Sequence, residues 1–402
     1  MSEAGHVAWM LTASALVLLM TPGLAFFYGG LVRGKNVVST MMYSYVSMAV
    51  VSVIWVLWGY SLAFGAGGEF IGNFDFIGFR DVSASGEDGG ISPMLFAIFQ
   101  MMFAIITPAL ITGAFVERFK FTTYLVFLVG WVTLVYVPIT HWVWASDGWI
   151  AGLGALDFAG GIVVHASAGI AAIVVARMIG ARRNIERGVE PHNVPYVLLG
   201  TGLLWFGWFG FNAGSGLLAD STAVSAFLVT NTSAAVAGLV WMVLDYQSTG
   251  RVSAVGFATG VIAGLASITP AAGFVGPMGA FAIGIIGSIA AYTTVKLMAK
   301  TSIDDALEVF AVHGVGGLWG TIATGIFATG GVGLIDGESD LLWANFRAAV
   351  AVVIYSGLSS FIILKILDVI PGLGLRSSEE DEDRGLDIAL HGERGYVADG
   401  AD

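Results

Sequence analysis

Long apolar runs, each broken by only a few polar residues, recur from Val7 almost to Ile370. Measured against the roughly 20 mostly apolar residues that a membrane-spanning helix needs, the pattern predicts eleven helices, over about 7–31, 37–64, 93–116, 121–141, 158–180, 195–217, 222–246, 252–273, 277–299, 306–330 and 344–370. The chain reads as an all-α polytopic membrane protein, with one membrane domain over residues 1–370 and an acidic tail over 371–402. Pro22, Pro108, Pro138 and Pro270 fall within or at the ends of these runs and predict kinks or breaks, which lipid tolerates only where the freed backbone is buried in protein.

The polar breaks differ in sign. Arg33 and Lys35, then Arg118 and Lys120, then Arg182, Arg183 and Arg187, then Arg251, then Lys296 and Lys300 occupy alternate connections. The others carry Glu69, Asp75, Asp81, Glu87, Asp88, Asp147, Asp220, Asp336, Glu338 and Asp340, with Arg80 alone among them and Arg347 near a helix entrance. The excess of Lys and Arg places the first set of loops in the cytoplasm, with the N-terminus outside and the C-terminus inside. The outer acids read as solubilising groups rather than a cation attractor, because salt limits such attraction to about 8 Å.

Composition sharpens the class. Of 402 residues, 56% are hydrophobic and 11% charged, against about 25% charged in ordinary soluble domains; mean hydropathy is +0.83. Cysteine is absent, which excludes thiol nucleophiles, disulfides and thiolate metal sites, and the six histidines lack metal-ligand spacing. No phosphate loop, nucleophile triad or cofactor motif is present, so neither an enzyme nor a cofactor is expected, and a net charge of -12 invites no nucleic acid. The start MSEAGHVAWM has no basic leader region, so no signal peptide is expected. Many of the 56 glycines lie inside spans, where small residues let helix backbones approach closely.

Two stretches carry candidate chemistry. Asp157–Gly169 reads DFAGGIVVHASAG and Asp305–Gly317 reads DALEVFAVHGVGG, so an aspartate precedes a histidine by the same eight residues in each. Ionisable groups inside apolar spans are costly and mark transport paths. The two stretches fall on the fifth and tenth predicted helices. Spans one to five and six to ten therefore read as halves of opposite topology, a 5+5 inverted repeat with the eleventh helix added, and such repeats hold their sites at the repeat interface. Asp157, as the first residue of its helix, reads as an N-cap or as a charge stabilising a nearby cation.

These histidine helices stand with FQMMFAIITPALITGAFVERFKF at Phe99–Phe121, HWVWASDGW at His141–Trp149, LLWFGWFGFNAGS at Leu203–Ser215 and GLASITPAAGFV at Gly264–Val275. Together they closely resemble the Amt/Mep/Rh family of ammonium transporters, on the Amt side, over nearly the whole chain. The resemblance implies a multi-pass plasma-membrane protein, a homotrimer with a hydrophobic pore through each protomer, that takes ammonium, with methylammonium as analogue. It maps an outer recruitment site onto Trp144, Phe103, Phe211 and Ser215, a gate onto Phe103 and Phe211, a pore pair onto His165 and His313, a pore-side tryptophan onto Trp208, and a buried aspartate onto Asp157.

Other tryptophans, Trp55, Trp58, Trp142 and Trp149, read as anchors at the membrane interfaces. The tail, with nine acids against three arginines, reads by itself as a solvated disordered segment, whereas VIPGLGLRSSEE and GLDIALHGE resemble the family's C-terminus, which contacts neighbouring protomers and PII-type signalling proteins. Its acidic run SSEEDED departs from that pattern. Two other functions stand beside transport: a neutral-gas channel of the Rh kind, against which a cation cage at Trp144 argues, and an ammonium sensor acting through the tail and a partner.

Overall fold

A computed structural model describes residues 3–86 and 90–396. Glu87 and Asp88 of the outer acidic set, and Asp399 and Asp402 of the tail, lie outside these described residues.

Among the described residues, ten helices are long and apolar enough to cross a membrane. They are α1 (Glu3–Leu31), α2 (Gly34–Phe64), α3 (Pro93–Ala114), α4 (Phe121–Gly152), α5 (Gly161–Ile179), α6 (Val194–Gly214), α7 (Ser221–Thr249), α9 (Pro277–Met298), α10 (Phe310–Phe327) and α11 (Asp340–Val369). The stretch expected over 252–273 forms a shorter apolar helix, α8 (Ala254–Ile268), and beyond it Thr269 and Pro270 enter a run of turns. Among the described residues the only β pairing is a single antiparallel bridge between Phe119 and Arg376. Pro22 and Pro108 sit inside uninterrupted helices, Pro138 follows a widened turn over Val132–Tyr136, and Pro270 lies past the end of α8.

The first helices of the two sequence halves, α1 and α6, share the most extensive helix contact in the molecule. The remaining helices wrap these: α7 packs on α8 and α9, and α11 on α5 and α10. The two histidine-bearing helices meet between them. Each opens with one turn of i→i+5 hydrogen bonding, Gly161–Ala166 and Phe310–Val315, containing His165 and His313 respectively. Such widened turns rotate side chains out of the ordinary helical register and recur at functional sites.

Two expectations from the sequence need correction. Trp55 is fully buried and donates its ring N–H to the Ala97 carbonyl (3.0 Å), and Trp142, 8% exposed, donates to that of Phe70 (2.7 Å), so these two hold helices and an outer loop rather than anchor in lipid. The tail, as far as Tyr396, is folded rather than solvated. Glu379–Arg384 forms a short helix, α12, capped by Ser378, and Arg376 clasps Glu382 with two N–H donors (2.5 and 2.8 Å). Asp387 accepts the backbone N–H groups of Val38 (3.1 Å) and Ser39 (2.8 Å) at the start of α2. Of the described tail acids, Glu382 is held by Arg376 and Asp387 by helix N–H groups of the membrane domain, Glu379 and Asp383 pair with Arg183 at the surface, and Glu380 and Glu393 stay exposed.

Candidate functional site

Asp157 lies four residues before α5 starts, at Gly161, rather than at its first position. Its Oδ1 accepts from Gly160 N–H (2.9 Å) and Gly161 N–H (2.6 Å), and its Oδ2 from Ile162 (2.8 Å) and Val163 (3.1 Å). A helix leaves its first N–H groups without intrahelical partners, and here one carboxylate takes four donors. The loop reaches this geometry because Gly160 adopts φ 114°, a left-handed conformation. The carboxylate oxygens are thereby committed to backbone. The main-chain carbonyl of Asp157 also accepts the ring N–H of Trp144 (2.8 Å), which fixes that indole.

From Trp144 a file of rings leads inward. Trp144 meets Phe103 edge-on, with centroids 5.8 Å apart, and Phe103 stacks on Phe211 at 4.1 Å and 27°. Both phenylalanines are 1% exposed. Ser215 is half-buried on the turn after Phe211, and its hydroxyl donates to the Phe211 carbonyl (2.8 Å), which leaves the oxygen lone pairs free to accept.

Beneath the phenylalanines lie the histidines. The rings of His165 and His313 have centroids 5.2 Å apart and their Nδ1 atoms are 3.2 Å apart. One Nδ1 must donate and the other accept, so each neutral ring turns a nitrogen of the opposite kind away from its partner. The Nε2 of His165 is buried with no hydrogen-bond partner among the described residues. Trp208 stacks on His165 at 5.4 Å and 20°, and its own N–H is held by Thr269 Oγ1 (2.9 Å). These groups line a cavity of about 10 Å³, bounded otherwise by apolar side chains such as Met20, Leu24, Ile106 and Leu204. That is room for one water-sized molecule at a time.

Below His313 the space widens into a vestibule of about 180 Å³, lined among others by Tyr28, Arg182, Glu308 and His313. Arg182, on its wall, belongs to a buried ionic cluster. Arg182 holds Asp304 through two side-chain bonds (both 2.9 Å) and its backbone N–H (2.8 Å), while Arg118 donates to the Asp304 carbonyl (2.6 Å). Glu117 accepts from Arg33 N–H (2.7 Å) and faces the Arg182 guanidinium at 3.8 Å. Burial pulls Arg118 down to about 10, with Asp304 opposing. Burial also acts to raise Asp304, but the hydrogen-bonded Arg182 guanidinium, with Arg118 behind it, holds that carboxyl below the usual carboxylate range.

The structure thus brings Trp144, Phe103, Phe211, Trp208, His165 and His313 into one continuous file, with Ser215 and Asp157 beside its outer end. Sequence reasoning assigned no part to Thr269, Asp304 or Glu117. Thr269 belongs to the motif GLASITPAAGFV, but a threonine in an apolar helix end carries no mark of its partner. Arg118 and Arg182 were counted only as orienting charges, although two arginines in membrane-flanking loops with an adjacent Asp304–Asp305 pair offered a pairing signal.

A sequence profile described as the Ammonium Transporter Family matches residues 8–396. An ammonium transporter of Bacillus subtilis (strain 168) is 46% identical over 98% of this chain and 99% of its own length, and Ammonium transporter Amt1 of Archaeoglobus fulgidus is 45% identical with the same coverage. Among solved structures, Saccharomyces cerevisiae Mep2 superposes with a TM-score of 0.88 at 37% identity, covering 94% of this chain and 90% of that one. A structure described as a Sensor Amt Protein gives 0.90 at 32% identity, covering 97% and 99%. A match that runs unbroken from α1 to the folded tail, around a file of rings ending in two facing imidazoles, leaves one assignment: this multi-pass membrane protein belongs to the Ammonium Transporter Family.

Proposed function

We propose that this ammonium transporter recruits NH4+ at an outer aromatic cage, removes its proton, and conducts NH3 past paired histidines while the proton crosses separately. The observation that carries the reading is the 3.2 Å contact of His165 and His313 inside an otherwise apolar cavity, directly beneath the stacked Phe103 and Phe211.

The magnitudes decide between the ion and the neutral molecule. Trp144, Phe103 and Phe211 offer ring faces to a cation, at roughly 2 kcal/mol or more per desolvated contact, and Ser215 offers an acceptor for an N–H. Complete desolvation of an ion costs tens of kcal/mol in the Born limit, which a few aromatic contacts cannot offset. The cation is therefore attracted to the outer mouth and stopped there. Ammonia has no such penalty, and the histidine pair presents one donor and one acceptor in place of the water it sheds. The shared Nδ1 contact gives the proton a path from one ring to the other.

In this reading α8 crosses the membrane as well, its turns at Thr269–Phe274 completing the span, so that eleven helices place the N-terminus outside and the C-terminus inside. The protein works as a homotrimer in the plasma membrane for nitrogen uptake. Its folded tail presents a cytoplasmic surface to a PII-type signalling protein.

Ammonium-evoked current on a solid-supported membrane, with K+ as control, tests the reading in wild type, W144L/S215A and H165A/H313A. A saturable ammonium-specific current, weakened in the cage variant and lost in the histidine variant, is expected. A histidine variant that keeps the current and still excludes K+ would overturn the separate-route mechanism. The docked tail and the likeness to a Sensor Amt Protein favour a second reading, a sensor, which ammonium binding without any flux would support.

A further inference from the structure

The half of the path below the histidines holds a group to which no role has been given. Glu308 stands five residues before His313 and two before α10 begins. It lines the 180 Å³ vestibule together with His313, and also a second cavity of about 410 Å³ on the same side, bounded by Arg182, Ile303, Asp304 and Asp305. One acidic residue thus borders both the chamber under the histidines and the chamber beyond it.

Its backbone is unusual. Glu308 has φ 63°, in the left-handed region that a glutamate seldom adopts, pinned by its N–H donating to the Asp305 carbonyl (3.1 Å) and by its carbonyl accepting Val312 N–H (3.0 Å). Strained non-glycine residues persist where surrounding structure over-determines them, and they cluster at working sites. The bond to Val312 sets Glu308 one turn below His313. Among the described residues, its carboxylate is influenced by burial and by charges, Asp305 foremost, with no hydrogen bond engaging it. Beside it, Oδ1 of Asp305 is buried without a partner, while Oδ2 accepts Phe310 N–H (2.7 Å).

We propose that Glu308 is the proton carrier of the inner vestibule: it receives the proton delivered by the histidine pair and returns it to the ammonia that leaves the pore. This rests on the separate-route reading above. The carboxylate takes up one H+ to become the neutral acid, and the acid then gives it to NH3, regenerating the carboxylate and forming NH4+. The proton is the one removed at the outer mouth, so the balance over a cycle is one NH4+ in for one NH4+ out.

The surrounding charges suit a proton carrier. Burial foremost, then Asp305, and more weakly Asp245 on α7, push Glu308 up to about 7, with Lys296 on α9 opposing. Burial likewise pushes Asp305 up to about 6, against the N–H groups of Phe310 and Val309 and the charge of Arg118. Arg182, Tyr28 and His313 complete the titratable groups on the vestibule wall. A carrier poised near working pH holds both protonation states within reach, which is the condition for moving protons in turn.

The test varies pH on the cytoplasmic side of oriented proteoliposomes while ammonium-evoked current is read for wild type, E308Q and E308D, each first shown to be monodisperse and to melt as wild type does. Wild-type inward current should fall as inner pH drops below about 7, because a carrier that stays protonated cannot accept the next proton. E308Q should lose that dependence and lower the current by about a hundredfold, the low side of what a positioned proton-transfer group contributes. E308D should restore current, with its pH midpoint displaced. E308Q with wild-type inner-pH dependence overturns the proposal alone, as does a reduced current that E308D fails to restore. Absence of ammonium-specific current from wild type overturns the transport reading and this one together.

Discussion

Gly169 of α5 lies directly against Gly314 of α10, with no room for a methyl group between them: a Cβ on Gly169 would overlap the Gly314 Cα and N. One turn along, a Cβ on Gly317 would come within 2.7 Å of the His165 Cβ. These contacts hold the two helix backbones close enough for imidazoles four residues before Gly169 and one before Gly314 to touch. The glycines therefore set the histidine geometry as much as the histidines do. Gly169→Ala should force the helices apart, costing about 1–3 kcal/mol as overpacking does, and should depress ammonium current far beyond the loss in protein yield. Thermal melting and current measured on one preparation check this; full current in a destabilised variant would detach the glycine contact from the pore.

Asp157 has the geometry of a cap, the first of the two roles open to it in the sequence. All four of its short hydrogen bonds run to backbone N–H groups at the start of α5. Asn has one acceptor oxygen where Asp has two, so Asp157→Asn should lose about half of this capping and Asp157→Ala all of it. With capping worth typically about 1 kcal/mol and charged hydrogen bonds about 1.5–3 each, the Ala variant should be destabilised by about 2 kcal/mol or more and the Asn variant by less. Melting temperature in detergent ranks them. An Asn variant as stable as wild type but without current would instead favour the electrostatic role.

Much of this molecule is legible in its residues, for a physical reason: lipid demands runs of fixed length. The ends of α1, α6, α7 and α9 fall within a few residues of their expected places, and the shared Asp-to-His spacing of eight residues marks two helices that do meet. What was illegible depends on partners far away in sequence. The widened turns at Gly161–Ala166 and Phe310–Val315 leave no mark in hydropathy, because they change register and not composition. Trp55 looks like any interfacial tryptophan until Ala97 is placed beside it. α10 was expected from residue 306, but Glu308 turns left-handed and delays the helix to Phe310. The tail misleads most, since charge counts do not show that Arg183 and Arg376 are waiting for its acids.

The Asp304 cluster predicts an acid limb of stability. Burial would raise this carboxyl, but Arg182 and Arg118 prevail and its folded value lies below the ordinary one. A depressed carboxylate contributes stability that is fully present above the unfolded value, about 3.9, and is lost as pH falls through the folded value. Asp304→Asn should be less stable than wild type by up to about 3–5 kcal/mol at neutral pH, because it leaves the buried Arg118 and Arg182 with Glu117 as their remaining counter-charge. That gap should narrow below about pH 4, where wild type loses the same charge. Thermal melts of both proteins from pH 7 to pH 3 test the sign; a gap that widens toward acid would contradict it.

Asp387 couples the tail to the start of α2. It is 2% exposed and takes the N–H groups of Val38 and Ser39, orphan donors at the beginning of α2, while the Leu386 N–H donates to Asn36 Oδ1 (2.8 Å) and Lys35 reaches back to the carbonyls of Glu382 (2.7 Å) and Asp383 (2.8 Å). The tail supplies the cap that α2 lacks from its own sequence, since Asn36 makes no side-chain cap there. Removing the carboxylate by Asp387→Ala deletes two charge-assisted bonds of about 1.5–3 kcal/mol each, and a marginally docked segment cannot absorb that loss. Limited trypsin digestion should then cut after Arg384 at least about tenfold faster than in wild type, the factor that only 1.4 kcal/mol of weakened docking produces. The exposed pairs of Arg183 with Glu379 and Asp383 contribute little by comparison, so Arg183→Ala should leave the digestion rate close to wild type. Equal protection in Asp387→Ala would mean that the tail is held by its apolar contacts, Leu375 and Leu386 among them, rather than by this cap.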